Sequence, residues 1–311
     1  MPTPSALAPL ADPWAVAVIA ATALAGLLAG HLGGRLVPLF GPARPRTPAP
    51  VDAAAARDDA TPGGTGTAGA PQPDTAPGEE GPPPPRCPHC RAELRFWRWF
   101  PLVSDRAFRG RGSCPHCEQV VRPHPGALLL AAPAAALAGA AAVLHPDWTP
   151  LWLPAVLWLV AVGAPLSVID LRVQRLPDAL VRPAYPVAAA LIALAALTPP
   201  GGPAPGRLLD AVLGMVLVTV LYWVLWRVHP RGMGLGDVRL SGLTGLYAGW
   251  AAGPLGALTA VFWAFAAFSA VGLALMALRR ATPGSAFPLG PFMLAGTLAT
   301  VLAARPLLPE L

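Results

Sequence analysis

Two carboxylates and four thiols carry the reactive chemistry of this sequence. Asp237 ends a glycine cluster, Gly232-Met233-Gly234-Leu235-Gly236-Asp237, and Val238-Arg239-Leu240 leads from it into an apolar run. Asp170 ends another apolar run, in Ser167-Val168-Ile169-Asp170-Leu171-Arg172. A carboxylate at the mouth of a membrane helix is costly and implies a purpose. Two such groups brought together can hydrolyse a peptide bond: the ionised one takes a proton from water while the protonated one donates to the carbonyl oxygen. Like charges at close range share one proton, so the titration belongs to the pair. Gly234 and Gly236 lack side chains, and we read them as places where an extended substrate backbone approaches. The plainer reading makes Asp170 an ordinary helix-end residue and Asp237 a cap for the helix that follows.

The cysteines fall in two pairs, Cys87-Pro88-His89-Cys90 and Cys114-Pro115-His116-Cys117. A two-residue gap lets both sulfurs of a pair point at one ion, and residues 91–113 form a loop that can bring the pairs together. Four thiolates on one Zn²⁺ leave no open position for water, so the expected role is structural. The ion would hold together a segment, residues 86–124, too small to fold on its own core. His89 and His116 are read as surface neighbours of the knuckles. The aromatic run Phe96-Trp97-Arg98-Trp99-Phe100 is expected either to pack against them, the plainer reading, or to lie at the membrane surface.

These groups need elements to position them, and composition says which. Only 12% of the residues are charged and 54% are hydrophobic, with a mean hydropathy of +0.53. A soluble domain would carry about 25% charged residues. Apolar runs of near membrane-spanning length succeed one another and lack the alternation of barrel strands, so the expected fold is an all-α polytopic membrane protein of about eight transmembrane helices. The first covers 13–32; no Arg or Lys precedes it, so it is read as a retained helix rather than a cleaved signal. Residues 42–85, rich in Pro, Ala and Gly, read as a disordered tether. The region 126–307 holds the remaining spans, at 126–143, 151–169, 184–197, 208–226, 240–250, 255–278 and 292–307, with Gly253-Pro254 dividing the sixth from the seventh.

The net charge of +6 comes from arginine alone, because the chain has no lysine. In such a protein basic residues report orientation, and nucleic acid is not an expected partner. Arg35, Arg44, Arg46, Arg172, Arg175, Arg182, Arg227, Arg231, Arg239, Arg279 and Arg280 fall on the side of the cysteine module, against Arg207 and Arg305 opposite. The expectation is an outside N-terminus, a cytosolic cysteine module, and both Asp170 and Asp237 at cytosolic helix ends. They thereby share one membrane depth.

Gly234-Leu235-Gly236-Asp237 resembles the GxGD signature of intramembrane aspartyl proteases, and Gly232 to Leu240 resembles its prepilin peptidase (type IV leader peptidase) version. Ile169-Asp170-Leu171-Arg172 with Arg175-Leu176-Pro177-Asp178 is similar to that family's first catalytic segment, and Phe287-Pro288-Leu289-Gly290-Pro291-Phe292 to its Pro-Phe-Gly-Pro-Phe element. The paired Cys units resemble the zinc-binding loop of its larger members, and the likeness spans roughly residues 85–300. It implies a multi-pass enzyme of the plasma (inner) membrane that cleaves leaders from prepilin or pseudopilin precursors, with Asp170 and Asp237 catalytic and membrane lipid around it. Many members also methylate the new N-terminus with S-adenosylmethionine. Here Gly30-His31-Leu32-Gly33-Gly34-Arg35-Leu36-Val37-Pro38 lacks the family's Ser and Asn, and Arg122 to Leu128 lacks its acidic residue. No residue is therefore assigned to methylation, and that cofactor enters only if methylation is retained. A non-catalytic membrane scaffold whose zinc module docks a cytosolic partner is the alternative. A transporter fits less well, because no acidic residue lies mid-span.

Overall fold

The computed structural model describes residues 10, 12–41, 85–145, 148–198, 203–230, 232–280, 282 and 287–308. The tether expected over 42–85 lies, apart from Pro85, outside them. The described residues are helical apart from isolated bridges and turns. In chain order the helices are α1 (Pro13–Gly34), α2 (Arg106–Arg111), α3 (Pro125–Leu144), α4 (Trp152–Val173), α5 (Asp178–Leu197), α6 (Pro205–Val228), α7 (Leu235–Ala277) and α8 (Gly290–Ala303). A short 3₁₀ turn, Val37–Phe40, follows α1. α1 and α3 to α7 are long and apolar enough to cross a membrane, while α8 is a shorter apolar helix of 14 residues.

α4 is the central helix, touching α1, α3, α5 and α8. Its residues from Val162 to Asp170 are all buried, so the helix is enclosed on every side as it nears the carboxylate. Such enclosure demands a run without polar interruption, and Val162-Gly163-Ala164-Pro165-Leu166 supplies it. Pro165 sits inside the helix, as do Pro133 in α3 and Pro183 and Pro186 in α5. Neighbouring helices and side chains can satisfy the backbone groups that such prolines free.

Two boundaries differ from the hydropathy reading and a third agrees with it. α5 begins at Asp178, not near Ala184, so Asp178 and Arg182 are one helical turn apart and ion-paired at 3.1 Å. Charge excludes that turn from an apolar window but not from a helix. α7 begins at Leu235, which places Asp237 inside a helix's first turn rather than in a loop before Leu240. The expected division of the sixth span from the seventh at Gly253-Pro254 is present as a kink within α7, where Ala252 (φ −144°) and Gly253 (φ +70°) leave helical geometry just ahead of Pro254. Gly253 tolerates that positive φ, and Pro254 removes an amide donor.

Of the aromatic run, Phe96 turns inward, its ring 6.0 Å from that of Phe40 in the 3₁₀ turn after α1 rather than on a knuckle. Trp97, Trp99 and Phe100 are exposed, on a turn closed by the Phe96–Val103 bridge.

Candidate functional site

The first half of the site is built by α4 and α8. Asp170 lies in the last turns of α4, where its residue is only 4% exposed. A buried carboxylate needs hydrogen-bond partners. The amide of Gly290, in the first turn of α8, donates to Asp170 Oδ2 at 2.9 Å. The positive end of the α8 dipole therefore faces the carboxylate. A Cβ at Gly290 would fall 2.8 Å from the same oxygen, so no other residue lets the amide come this near. Phe287 and Phe292, which flank Gly290, form a cluster of tilted and edge-on rings with Phe268 of α7, at ring separations of 5.5 to 5.8 Å, and fix the start of α8.

The second half is the start of α7. Asp237 is half-buried in the first turn, and its Oδ2 accepts from the Gly234 amide at 3.2 Å, while the Asp237 amide donates to the Gly234 carbonyl at 3.1 Å. Gly234, not Asp237, is the N-cap of α7; Asp237, at the third helical position, reaches back to the Gly234 amide with one oxygen, which orients the side chain. Gly290, whose amide holds Asp170, and Gly236, beside Asp237, both come against the same residue, Leu176. Among the described residues, the second oxygen of each carboxylate has no protein hydrogen bond.

Leu176, 5% exposed, joins the two halves. It lies in the α4–α5 loop, and the Cβ that Gly236 lacks would fall 2.9 Å from its Cβ, while one at Gly290 would fall 3.5 Å from its Cδ2. The missing side chain at Gly236 thus seats α7 against that loop. Gly234 is exposed, with its own loop as the nearest neighbour. Behind them, Arg239 pairs with Asp178 at the start of α5, and the Tyr185 hydroxyl donates to the Arg239 carbonyl. Arg239 follows Asp237 by two residues, so these contacts hold the acid-bearing turn to α5. From the sequence alone, none of Asp178, Leu176, Gly290, Tyr185 and Arg239 had an assigned part in the site. Leu176 and Gly290 lay inside segments already singled out, which was the available signal.

The four cysteines form the second constellation. Their Sγ atoms all lie within 4.8 Å of one another, with Cys87–Cys117 at 3.9 Å and Cys90–Cys114 at 3.7 Å. A tetrahedral ion with metal–sulfur bonds of roughly 2.3 Å has sulfur–sulfur edges of about 3.8 Å, so the donor set fits Zn²⁺. Each knuckle is built alike. The amides of Cys87 and Cys114 donate to Ala92 and Gln119, and those of Arg91 and Glu118 donate back to Cys87 and Cys114, at 2.9 to 3.0 Å. Arg91 and Glu118 take φ of 61° and 58°, and the Arg86–Glu93 and Ser113–Val120 bridges close the turns. Burial pushes the Cys87 thiol up to about 12, so a neighbouring cation is what would make its thiolate available. Neither His89 nor His116 joins the cluster.

Comparison with known proteins follows the same lines. The type IV leader peptidase family matches residues 154–277. A prepilin leader peptidase/N-methyltransferase of Burkholderia pseudomallei (strain 1026b) is 32% identical over 225 residues, covering 71% of this chain and 67% of that protein. One from Pseudomonas putida is 31% identical over 230 residues, covering 70% and 72%. One from Stutzerimonas stutzeri is 28% identical over 214 residues, covering 68% of each. No solved structure matches. The shared segment includes both Asp170 and Asp237, and with relatives aligned over most of their length this chain belongs to the type IV leader peptidase family.

Proposed function

We propose that the protein is a membrane aspartyl endopeptidase that removes leader peptides from type IV prepilin-like precursors at the cytosolic membrane face. The observation that carries the reading is the arrangement of Asp170 and Asp237: each holds one oxygen to a backbone amide and, among the described residues, leaves the other without a protein hydrogen bond. Two carboxylates so oriented can share one proton and flank a water molecule. The ionised one removes a proton as the water oxygen bonds to the scissile carbonyl carbon, and the other protonates the carbonyl oxygen. Collapse of the tetrahedral gem-diol breaks the carbon–nitrogen bond: the proton taken from water passes to the departing amine, and one hydroxyl returns its proton to the second carboxylate. Water is added across the bond, and both carboxylates return to their starting states. Gly234, exposed at the mouth of α7, is where an extended substrate backbone can lie, while Gly236 serves the packing on Leu176.

Cys87, Cys90, Cys114 and Cys117 would hold a structural Zn²⁺, supplying a cross-link rather than a Lewis acid, since four thiolates complete its coordination. The domain reading follows: a first membrane helix at 13–32, a tether at 42–85, a zinc module at 86–124, and a peptidase domain at 126–307. The arginine bias places the N-terminus outside and the module in the cytosol of a plasma (inner) membrane protein. The relatives' names include N-methyltransferase, but this chain offers no residue to which we assign that step.

The test is cleavage of a co-expressed pilin-like precursor by the parent, Asp170→Asn and Asp237→Asn. Each change keeps the size of the side chain and removes its titratable proton. Loss of the processed form with both variants still in the membrane supports the reading. Continued processing by either variant overturns it.

A further inference from the structure

Two connected cavities run along the seam between α1 and α4. The larger, of about 370 Å³, lies under residues 100–103 and 108–109 of the cysteine module and is walled by Leu32 and Gly33 of α1 and by Trp158 and Pro165 of α4. The smaller, of about 250 Å³, shares Ala29, Trp158 and Ala161 with it and continues past Gly26 to Ala25. From Arg35 at one end to Ala25 at the other is ten residues of helix. That is about 15 Å along the axis, half of a hydrocarbon core roughly 30 Å thick. The groove is one leaflet deep.

Its walls are apolar except at the module end. Among the described residues, Arg35 and Arg109 are the only charged side chains lining either cavity, and no carboxylate lines them. Neither arginine is ion-paired among the described residues. Among the described residues, Arg35 Nε is buried without a hydrogen-bond partner, and its Nη1 reaches only the Gly110 carbonyl, at 3.5 Å. Arg109 is held over the Trp97 ring at 4.4 Å, with Nη1 donating to the carbonyls of Val103 and Ser104. A cation in apolar surroundings without an anion is costly, so these two favour a negatively charged group between them. A nucleoside ligand would find no acceptor side chain for its ribose hydroxyls. A second feature agrees: the turn above the groove exposes Trp97, Trp99, Phe100 and Leu102 by 45, 64, 44 and 40%. Aromatic rings with adjacent arginines suit the headgroup region of a bilayer.

We propose that this groove binds one anionic phospholipid, with an acyl chain along the α1–α4 seam and its phosphate between Arg35 and Arg109. The aromatic turn at 97–102 sits in the surrounding headgroups. The site is separate from the carboxylate pair, so it stands or falls independently of the peptidase reading.

The test uses the full chain, purified in detergent, stripped of lipid and reloaded with phosphatidylglycerol or phosphatidylcholine of the same acyl chains. Native mass spectrometry counts the lipid retained. The expected result is one phosphatidylglycerol per chain, held at least about tenfold more tightly than phosphatidylcholine. The double variant Arg35→Gln/Arg109→Gln loses that preference. Ala161→Trp, which fills the junction of the two cavities, loses the bound lipid whatever its headgroup, and Ala29→Phe does the same from the α1 wall. Leu213→Trp on the exposed face of α6 retains it. Helical circular dichroism confirms that each variant is folded. Equal retention of the two lipids, or an unchanged preference in the arginine variant, overturns the proposal. So does displacement by inorganic phosphate alone, which would make the site a simple anion site. Displacement by S-adenosylmethionine would make it a nucleoside site and would overturn it equally.

Discussion

Gly290 and Gly236 give the carboxylate pair its geometry by what they lack. A methyl group at Gly290 would fall 2.8 Å from Asp170 Oδ2, and one at Gly236 would fall 2.9 Å from Leu176 Cβ. Gly290→Ala should therefore displace the Asp170 carboxylate from its amide and lower the single-turnover cleavage rate by at least about tenfold, with little change in melting temperature. Asp178→Ala removes the partner of both Arg239 and Arg182 and frees the turn that carries Asp237. The pair is only partly exposed, so the expected loss is about 1–2 kcal/mol of stability together with a fall in kcat; Asp178→Asn, which still accepts a hydrogen bond, should recover part of both. The acids themselves were legible in the sequence, because a carboxylate beside an apolar run stands out. Their supports were not. The Gly290 amide is a backbone group 120 residues from Asp170 and has no side-chain signature.

Helix pairs are set by small residues where backbones meet. α6 and α7 cross so closely that a Cβ at Gly245 would sit 2.5 Å from the Gly214 carbonyl oxygen, and one at Gly249 would sit 2.5 Å from that of Asp210. Gly245→Leu must push the helices apart, so it should lower the melting temperature in detergent and, through α7, slow cleavage. At the start of α3, His124 Nδ1 accepts from the Gly126 amide at 3.1 Å, which requires a neutral ring. Burial, and then the guanidinium of Arg172, hold its pKa below the ordinary 6.5. The cap is therefore intact above that value and is lost as pH falls through the lowered one. Melting curves should show the parent losing more stability than His124→Asn over this acid range, since Asn caps without titrating. The spans themselves were legible from hydropathy, and so was the break at Gly253-Pro254. The helix ends were not, because Asp178, Arg182 and Asp237 are charged residues within helical turns that an apolar window leaves out.

At the scale of the whole molecule, the cysteine module contributes shape. Its knuckles are held by short loops and by four sulfurs placed for one ion. Removing that ion with a chelator should leave the helical circular dichroism nearly unchanged while residues 86–121 become sensitive to limited proteolysis, and restored Zn²⁺ should reverse the change. The pairing of the two Cys motifs was readable from spacing. The exposure of Trp97 and Trp99 was not, since it depends on where the module meets α1 and α4. The central claim concerns the carboxylates as one unit, and a unit has a kinetic signature. The decisive measurement is single-turnover cleavage of a pilin-like precursor by the purified parent, Asp170→Asn, Asp237→Asn and the double variant. The account predicts that each single change costs at least about 10³-fold and that the double costs no more than either. Multiplying losses, or a single variant that keeps most of its rate, would show that the two acids do not act as a pair.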